Sequence, residues 1–129
     1  MTTLSAFTNQ IYNLSVNLSK MFPEDPDLAF TKNAVYMLKK NNPRKLQTAF
    51  NEYIYKYNEQ VMKKDEKFLI ETDFLDDENV REKASNVEYA EKIMNNLRKY
   101  WNQMDDESKE NIWKYLQVLM LLNQKCMKN

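Results

Sequence analysis

The clearest helical pattern in this sequence lies in residues 2–21, TTLSAFTNQIYNLSVNLSKM. Apolar side chains recur there at alternating intervals of three and four residues, which places them on one stripe of an α-helix: Leu4, Phe7, Ile11, Leu14, Leu18 and Met21. The pattern predicts a helix that begins at Thr2 or Thr3 and packs this stripe into the core. The same spacing would suit a self-associating seam, but it falls short of the sustained repeat of a coiled coil.

The opposite face of this first helix is polar but uncharged. No charged side chain precedes Lys20, whereas a solvated helix face is usually rich in charge. We therefore expect the face to be covered by the rest of the bundle, by another copy of the chain or by a partner protein. Asn13 and Asn17 are its candidate interaction residues.

The sequence contains no glycine and only three prolines. Tight turns and β-hairpins rely on glycine because it reaches positive φ without a Cβ clash, whereas helices need few such positions. The chain has 129 residues, which is usual for one domain. We therefore predict a single all-α domain over residues 1–129, built as a compact bundle of about five helices.

Helix starts are marked by caps. Asp25-Pro26 and Asn42-Pro43 each combine an N-cap residue with proline at the first helical position, and Asp105 is a further N-cap. These signals predict a second helix over 26–40, a third over 43–64, a fourth that begins between Asn79 and Asn86, and a fifth after Asp105. The fifth helix is apolar nearly all round, which is typical of a central, buried helix.

A long acidic connection is predicted between helices three and four, over residues 65–78. It holds seven carboxylates and one lysine, and one helical turn could follow Asp65. Five of the carboxylates could form a hard-cation site: Glu71, Asp73, Asp76, Asp77 and Glu78. Because the EF-hand loop requires a glycine that is absent here, and because charge runs are usually solvated, we favour a solvated connection without metal.

The residue types that enzymes use most are scarce. Histidine, the commonest general base and metal ligand, is absent. The one cysteine, Cys126, has no base to activate it, and the lack of glycine excludes phosphate-binding loops. We expect no catalytic, metal or cofactor site. A single cysteine indicates a reducing, intracellular compartment, and the longest apolar run, Val118–Leu122, is too short to cross a membrane.

A basic group surrounds the predicted junction of helices two and three: Lys39, Lys40, Arg44 and Lys45. Such a group could hold nucleic-acid phosphates. The chain as a whole is balanced, however, with 19 basic and 19 acidic residues, so bulk electrostatics gives no support for a nucleic-acid partner. We regard a nucleic-acid-binding accessory factor as the alternative and do not favour it.

Several short stretches resemble uncharacterised small helical proteins encoded by nucleocytoplasmic giant DNA viruses. They are FPEDPDL at 22–28, NPRKL at 42–46, DEKFL at 65–69 and IWKYLQVL at 112–119. The resemblance implies a viral protein in the host cytoplasm, the viral factory or the virion, and it implies no known activity. Arg44, Lys45, Asp65 and Glu66 lie in these stretches without an evident structural role, so we include them in the candidate interaction surface.

From these observations we expect a non-enzymatic protein of a large DNA virus that acts through protein–protein contact, as an adaptor or a virion-associated protein. A protein partner or self-association is expected, and no membrane.

Overall fold

The computed structural model describes residues 2–72 and 88–128. All regular structure in these ranges is helical, which confirms the all-α prediction. The α-helices are α1 (Thr3–Met21), α2 (Pro26–Asn41), α3 (Pro43–Tyr53), α4 (Asn58–Met62), α5 (Glu66–Glu71), α6 (Glu88–Tyr100) and α7 (Asp106–Met127), with 3₁₀ turns at Tyr55–Tyr57 and Trp101–Gln103. Five of these α-helices have eleven or more residues, and α4 and α5 are short.

The predicted N-caps are confirmed. The Asp25 carboxylate accepts from the Asp27 backbone N–H at 2.8 Å, the Asn42 amide oxygen from Lys45 N at 3.3 Å, and the Asp105 carboxylate from Ser108 N at 2.7 Å. Each bond satisfies one of the backbone donors that a helix start leaves without a partner. Local sequence therefore fixes where α2, α3 and α7 begin.

The apolar stripe of α1 lies in the core, as predicted. Phe7, Ile11, Leu14 and Leu18 are fully buried, and the Phe7 ring packs edge-on against Phe50 of α3 with centroids 5.1 Å apart. Helix α1 packs between α2 and α7 and also contacts α3. The buried apolar residues of all the longer helices form one cluster around it.

The prediction that the last helix is buried all round is wrong. One side of α7 is in the core, including Trp113, Leu116 and Leu119. On the other side Val118 is 40% exposed and Leu121 is 48% exposed, because no described element covers them. Composition alone could not separate these two sides, since both carry apolar residues.

The predicted third helix is interrupted. Helix α3 ends at Tyr53, and a 3₁₀ turn precedes α4. No proline or glycine causes the break, so tertiary packing must override the local helical pattern. The turn places the Tyr57 ring 4.9 Å from that of Phe68 in α5 and buries Val61, and α4 packs against α7.

Part of the predicted acidic connection is helical. Asp65 caps α5 through a 3.0 Å bond from Phe68 N to its carboxylate, and Leu69 is buried in the core. The predicted turn after Asp65 thus extends over six residues. The rest of the connection, residues 73–78, and the predicted start of the fourth helix lie outside the described residues.

Candidate functional site

The candidate interaction residues lie in three separate places. The basic group is at the α2–α3 junction, Asn13 and Asn17 are on α1, and Asp65 and Glu66 are at the start of α5. Glu66 lies 3.6 Å from Lys109 near the start of α7, whereas Arg44 acts electrostatically on Cys126 near its end. Seventeen residues of helix separate those two positions, a distance of about 25 Å. The residues therefore do not form one site.

Asp65 and Glu66 have structural roles that sequence reasoning did not assign. The Asp65 side chain is the N-cap of α5, and the Glu66 carboxylate pairs with Lys109 of α7. The cap stabilises the start of α5, and the ion pair links α5 to α7. The positions of the Asp65 and Glu66 side chains are therefore explained by contacts within the chain, without a partner protein.

The uncharged face of α1 is covered in part by the chain itself. Thr8 and Ser15 are only 3% and 2% exposed, and their hydroxyls donate to the backbone carbonyls of Ser5 and Tyr12 at 3.1 and 2.7 Å. Small side chains whose hydroxyls bond to their own helix can be buried without an unsatisfied polar group. Asn13, in contrast, is exposed.

Asn17 faces α7 across a surface groove. Its amide donates to the Tyr115 hydroxyl, and the groove between α1 and α7 has a volume of about 650 Å³. Lys20 and Lys114 contribute to its walls, and among the described residues no carboxylate lines it. The charged side chains among the described residues of the groove are thus basic.

Exposed apolar side chains border this groove on α7. Val118 lines the groove, and Leu121 follows it on the outer side of the helix. Exposed Lys114 and Lys125 stand four residues before Val118 and four after Leu121, so the four side chains form one stripe at helical spacing. We call Lys114, Val118, Leu121 and Lys125 the α7 outer stripe. Sequence reasoning missed it because the whole helix was predicted to be buried.

The basic group lies on the surface. Lys40, Arg44 and Lys45 are exposed, and the Lys39 ammonium lies 5.1 Å from the centre of the Tyr12 ring. The Arg44 guanidinium donates to the Gln47 amide oxygen at 3.2 Å. The structure therefore leaves most of this positive charge accessible to an anion.

A second cavity, of about 810 Å³, surrounds the α1–α2 connector. The Tyr100 ring stacks on Phe22 with centroids 4.0 Å apart, and its hydroxyl donates to the Asp25 carboxylate, which Lys99 approaches to 3.4 Å. The bond from Tyr100 lowers the pKa of Asp25, and the same bond raises the pKa of Tyr100. These shifts keep the carboxylate ionised and the phenol protonated, so the cluster fastens the connector to α6 and is poorly suited to proton transfer.

The other chemical candidates have few reactive features. Burial raises the pKa of the Cys126 thiol, against a weaker opposing effect of Arg44, so thiolate is disfavoured at neutral pH. Within residues 2–72 and 88–128, no three cysteine, aspartate or glutamate side chains come together as a metal site. Of the predicted cation ligands, Glu71 is exposed at the end of α5, and Asp73, Asp76, Asp77 and Glu78 lie outside the described residues.

No protein-family model, curated protein or solved structure matches this chain. In the described ranges, no helix combines the length and the hydropathy that crossing a bilayer requires.

Proposed function

We propose that this protein is a non-enzymatic interaction protein that binds an acidic, amphipathic segment of a partner protein in the α1–α7 groove and on the α7 outer stripe. The observation that carries the proposal is the exposure of Val118 and Leu121 beside a groove to which the described part of the chain contributes lysines and no carboxylate. Helical segments commonly dock in such grooves through a few apolar anchors spaced along one face.

Apolar burial supplies the attraction. Val118 and Leu121 are three residues apart, so their side chains lie on one face of α7 and can contact one partner helix together. Covering an aliphatic side chain fully is worth roughly 1.5–3 kcal/mol, and these two still expose 40% and 48% of their surface. The free energy gained when a partner covers this exposed surface is therefore small. It is enough to make a weak, reversible contact specific.

Charge selects the partner's composition. Lys114 and Lys125 flank the apolar pair, and Lys20 lies across the groove. A segment with carboxylates beside its apolar anchors would pair with these ammonium groups, and complementary charge accelerates encounter and disfavours basic competitors. A basic segment would be repelled.

The non-enzymatic part of the proposal is supported by the side chains that could react. The pKa shifts of Asp25, Tyr100 and Cys126 each favour the form that is less useful for acid–base or nucleophilic chemistry at neutral pH. The sequence holds no histidine to assist them.

The viral origin, the location in host cytoplasm, viral factory or virion, and the adaptor role remain proposals that rest on the resemblance noted above. Three of the four stretches that carry it are helix starts, at Asp25, Asn42 and Asp65. Their residues therefore have capping roles that any helical protein could use.

A photo-cross-linking amino acid at Leu121, expressed in the cells that make the protein, tests the binding surface. The expected cross-linked peptide is rich in aspartate or glutamate and has apolar residues at helical spacing. The variant Val118→Glu should remove this cross-link, whereas Met37→Glu should not, because Met37 is a similarly exposed apolar residue on α2. Equal loss in both variants, or cross-linked peptides with net positive charge, would contradict the proposal.

A further inference from the structure

The two ends of the helix bundle differ in charge. Gln47 in α3 donates to the Asn123 amide oxygen at 2.8 Å and to the Met127 sulfur at 3.3 Å, so the start of α3 and the end of α7 lie together. Asn42 joins the end of α2 to the same place. We call the six basic residues gathered here the cationic end: Lys39, Lys40, Arg44, Lys45, Lys125 and Lys128.

No carboxylate side chain belongs to the segments that build this end. Residues 2–23, 28–51 and 111–128 contain nine lysines and arginines and no aspartate or glutamate. All of the chain's 19 acidic residues fall in 24–27 and 52–110. The balanced net charge of the protein therefore conceals a strongly basic surface, which an average over the whole chain could not reveal.

Helix dipoles explain only part of this arrangement. Lys39, Lys40 and Lys125 lie in the last turns of α2 and α7, where the negative end of the dipole favours cations. Arg44 and Lys45 instead occupy the first turn of α3, where a carboxylate would be favoured and none is present. Cations placed against the dipole weaken a helix. Arg44 has a folding role, because its guanidinium donates to Gln47 at 3.2 Å, so the dipole argument applies to the exposed Lys45.

We propose that the cationic end, which shares only Lys125 with the α7 outer stripe, binds the phosphate backbone of duplex nucleic acid. Residues 39–48 and 123–128 contain no aromatic side chain, and the Tyr12 ring beside Lys39 is only partly exposed because the Lys39 ammonium and the Tyr36 ring lie against it, so little aromatic surface is free for an unpaired base. Recognition at this end is therefore electrostatic, does not depend on base sequence and favours a duplex, whose phosphate charge is dense. The arrangement of charge in the structure therefore supports a nucleic-acid partner, which the balanced net charge of the whole chain did not.

The test is fluorescence anisotropy with a labelled 20-base-pair DNA duplex of arbitrary sequence. Four phosphate contacts give a log–log slope of about −3.6 against salt concentration, so affinity should fall about 100-fold between 50 and 200 mM salt. The double variant Lys40→Glu/Lys45→Glu should bind at least about tenfold more weakly at 50 mM salt and show a shallower slope. Its fold should persist, because both side chains are exposed and a carboxylate at position 45 suits the start of α3.

The matched control is Lys63→Glu/Lys67→Glu, which makes the same change in net charge at exposed positions in the α4–α5 region. It should weaken duplex binding less than about threefold at the same salt. Equal weakening by both double variants would show a net-charge effect and would overturn the proposal. So would undetectable binding at 50 mM salt, or tighter binding to a single strand of the same length.

Discussion

At the scale of single residues, buried amides connect helices that are far apart in sequence. Gln47 donates to Asn123 at 2.8 Å, and Asn123 donates to Asn51 at 3.0 Å. Gln47 and Asn123 are fully buried. Buried amides are costly unless bonded, so this network favours one register of α7 against α3.

Replacing Asn123 with leucine should lower the free energy of unfolding by about 2–4 kcal/mol, because Gln47 and Asn51 each lose a bonding partner in or near the core. Urea unfolding followed by circular dichroism measures the change. Asn111→Leu, at an exposed position on the same helix, should change stability by less than about 0.5 kcal/mol. Similar losses in both variants would show that the network has no special role.

Tyr100→Phe should make stability depend less on pH in the acid range. The hydroxyl bond is the main cause of the lowered pKa of Asp25, whose side chain is only 8% exposed. A carboxyl with a lowered folded-state pKa stabilises the fold fully above its ordinary value of 3.8 and loses this contribution as pH falls through the folded-state pKa. Wild type should therefore exceed the variant by about 1–2 kcal/mol at pH 6, and the difference should shrink below about pH 4.

Urea unfolding at pH 6 and pH 3 tests this expectation. Tyr36→Phe is the control, because Tyr36 is an exposed tyrosine on α2, and its effect should not change with pH. A Tyr100→Phe effect that is equal at both pH values would contradict the assigned role.

The role of a single residue could be predicted from the sequence where its bonding partner is a near neighbour in the chain. Asp25, Asn42 and Asp105 could be named as caps because each bonds a backbone N–H two or three residues away. The Tyr100–Asp25 and Gln47–Asn123 bonds join positions more than 70 residues apart. No local pattern encodes such pairs.

At the scale of elements, the end of α4 shows how a chain without glycine makes a tight turn. Lys64 takes a positive φ of 55°, the left-handed conformation that glycine usually supplies after a helix. Its ammonium group pairs with Glu110 of α7, an exposed contact of small energy.

Lys64→Gly should therefore leave stability unchanged or raise it by up to about 1 kcal/mol, since it removes a left-handed conformation that costs other residues roughly that much. Lys114→Gly, at an exposed position within α7, should lower stability by about 1 kcal/mol. Thermal unfolding of the two variants compares them directly. A loss of equal size at position 64 would show that the turn does not gain from glycine.

The two asparagines of α1 should respond differently to truncation. Asn17→Ala removes the bond to Tyr115 and should lower the free energy of unfolding by about 1 kcal/mol. Asn13→Ala should be neutral within about 0.5 kcal/mol, because Asn13 is exposed and alanine favours helix. Chemical unfolding of both variants measures this, and a larger loss at position 13 would indicate that another chain covers that side of α1.

Element prediction succeeded where periodicity and caps agreed, as in α1, which was expected from Thr2 or Thr3 to Met21 and spans Thr3–Met21. It failed at the end of α3, where the apolar spacing continues to Val61 although the α-helix ends at Tyr53 and a 3₁₀ turn follows. The turn is stabilised by contacts of Tyr57 and Val61 with α5 and α7, and these contacts depend on the tertiary arrangement.

At the scale of the whole molecule, two candidate binding surfaces meet at Lys125. The α1–α7 groove and the α7 outer stripe combine apolar and basic groups, whereas the cationic end is defined by its six basic side chains. The sequence indicated four of the six residues of the cationic end: Lys39, Lys40, Arg44 and Lys45. It could not indicate that the last turn of α7 joins them, nor that the described helices leave one side of α7 uncovered, because both depend on how the helices pack.

Isothermal titration most directly tests the proposed binding surface. The titrant is a synthetic peptide with the sequence of the segment cross-linked at Leu121. We expect the wild type and Met37→Glu to bind it equally and Val118→Glu/Leu121→Glu to bind it at least about 100-fold more weakly, because two apolar anchors are lost and carboxylates face an acidic ligand. Equal affinity for all three proteins would contradict the assignment of this groove and stripe as the binding surface.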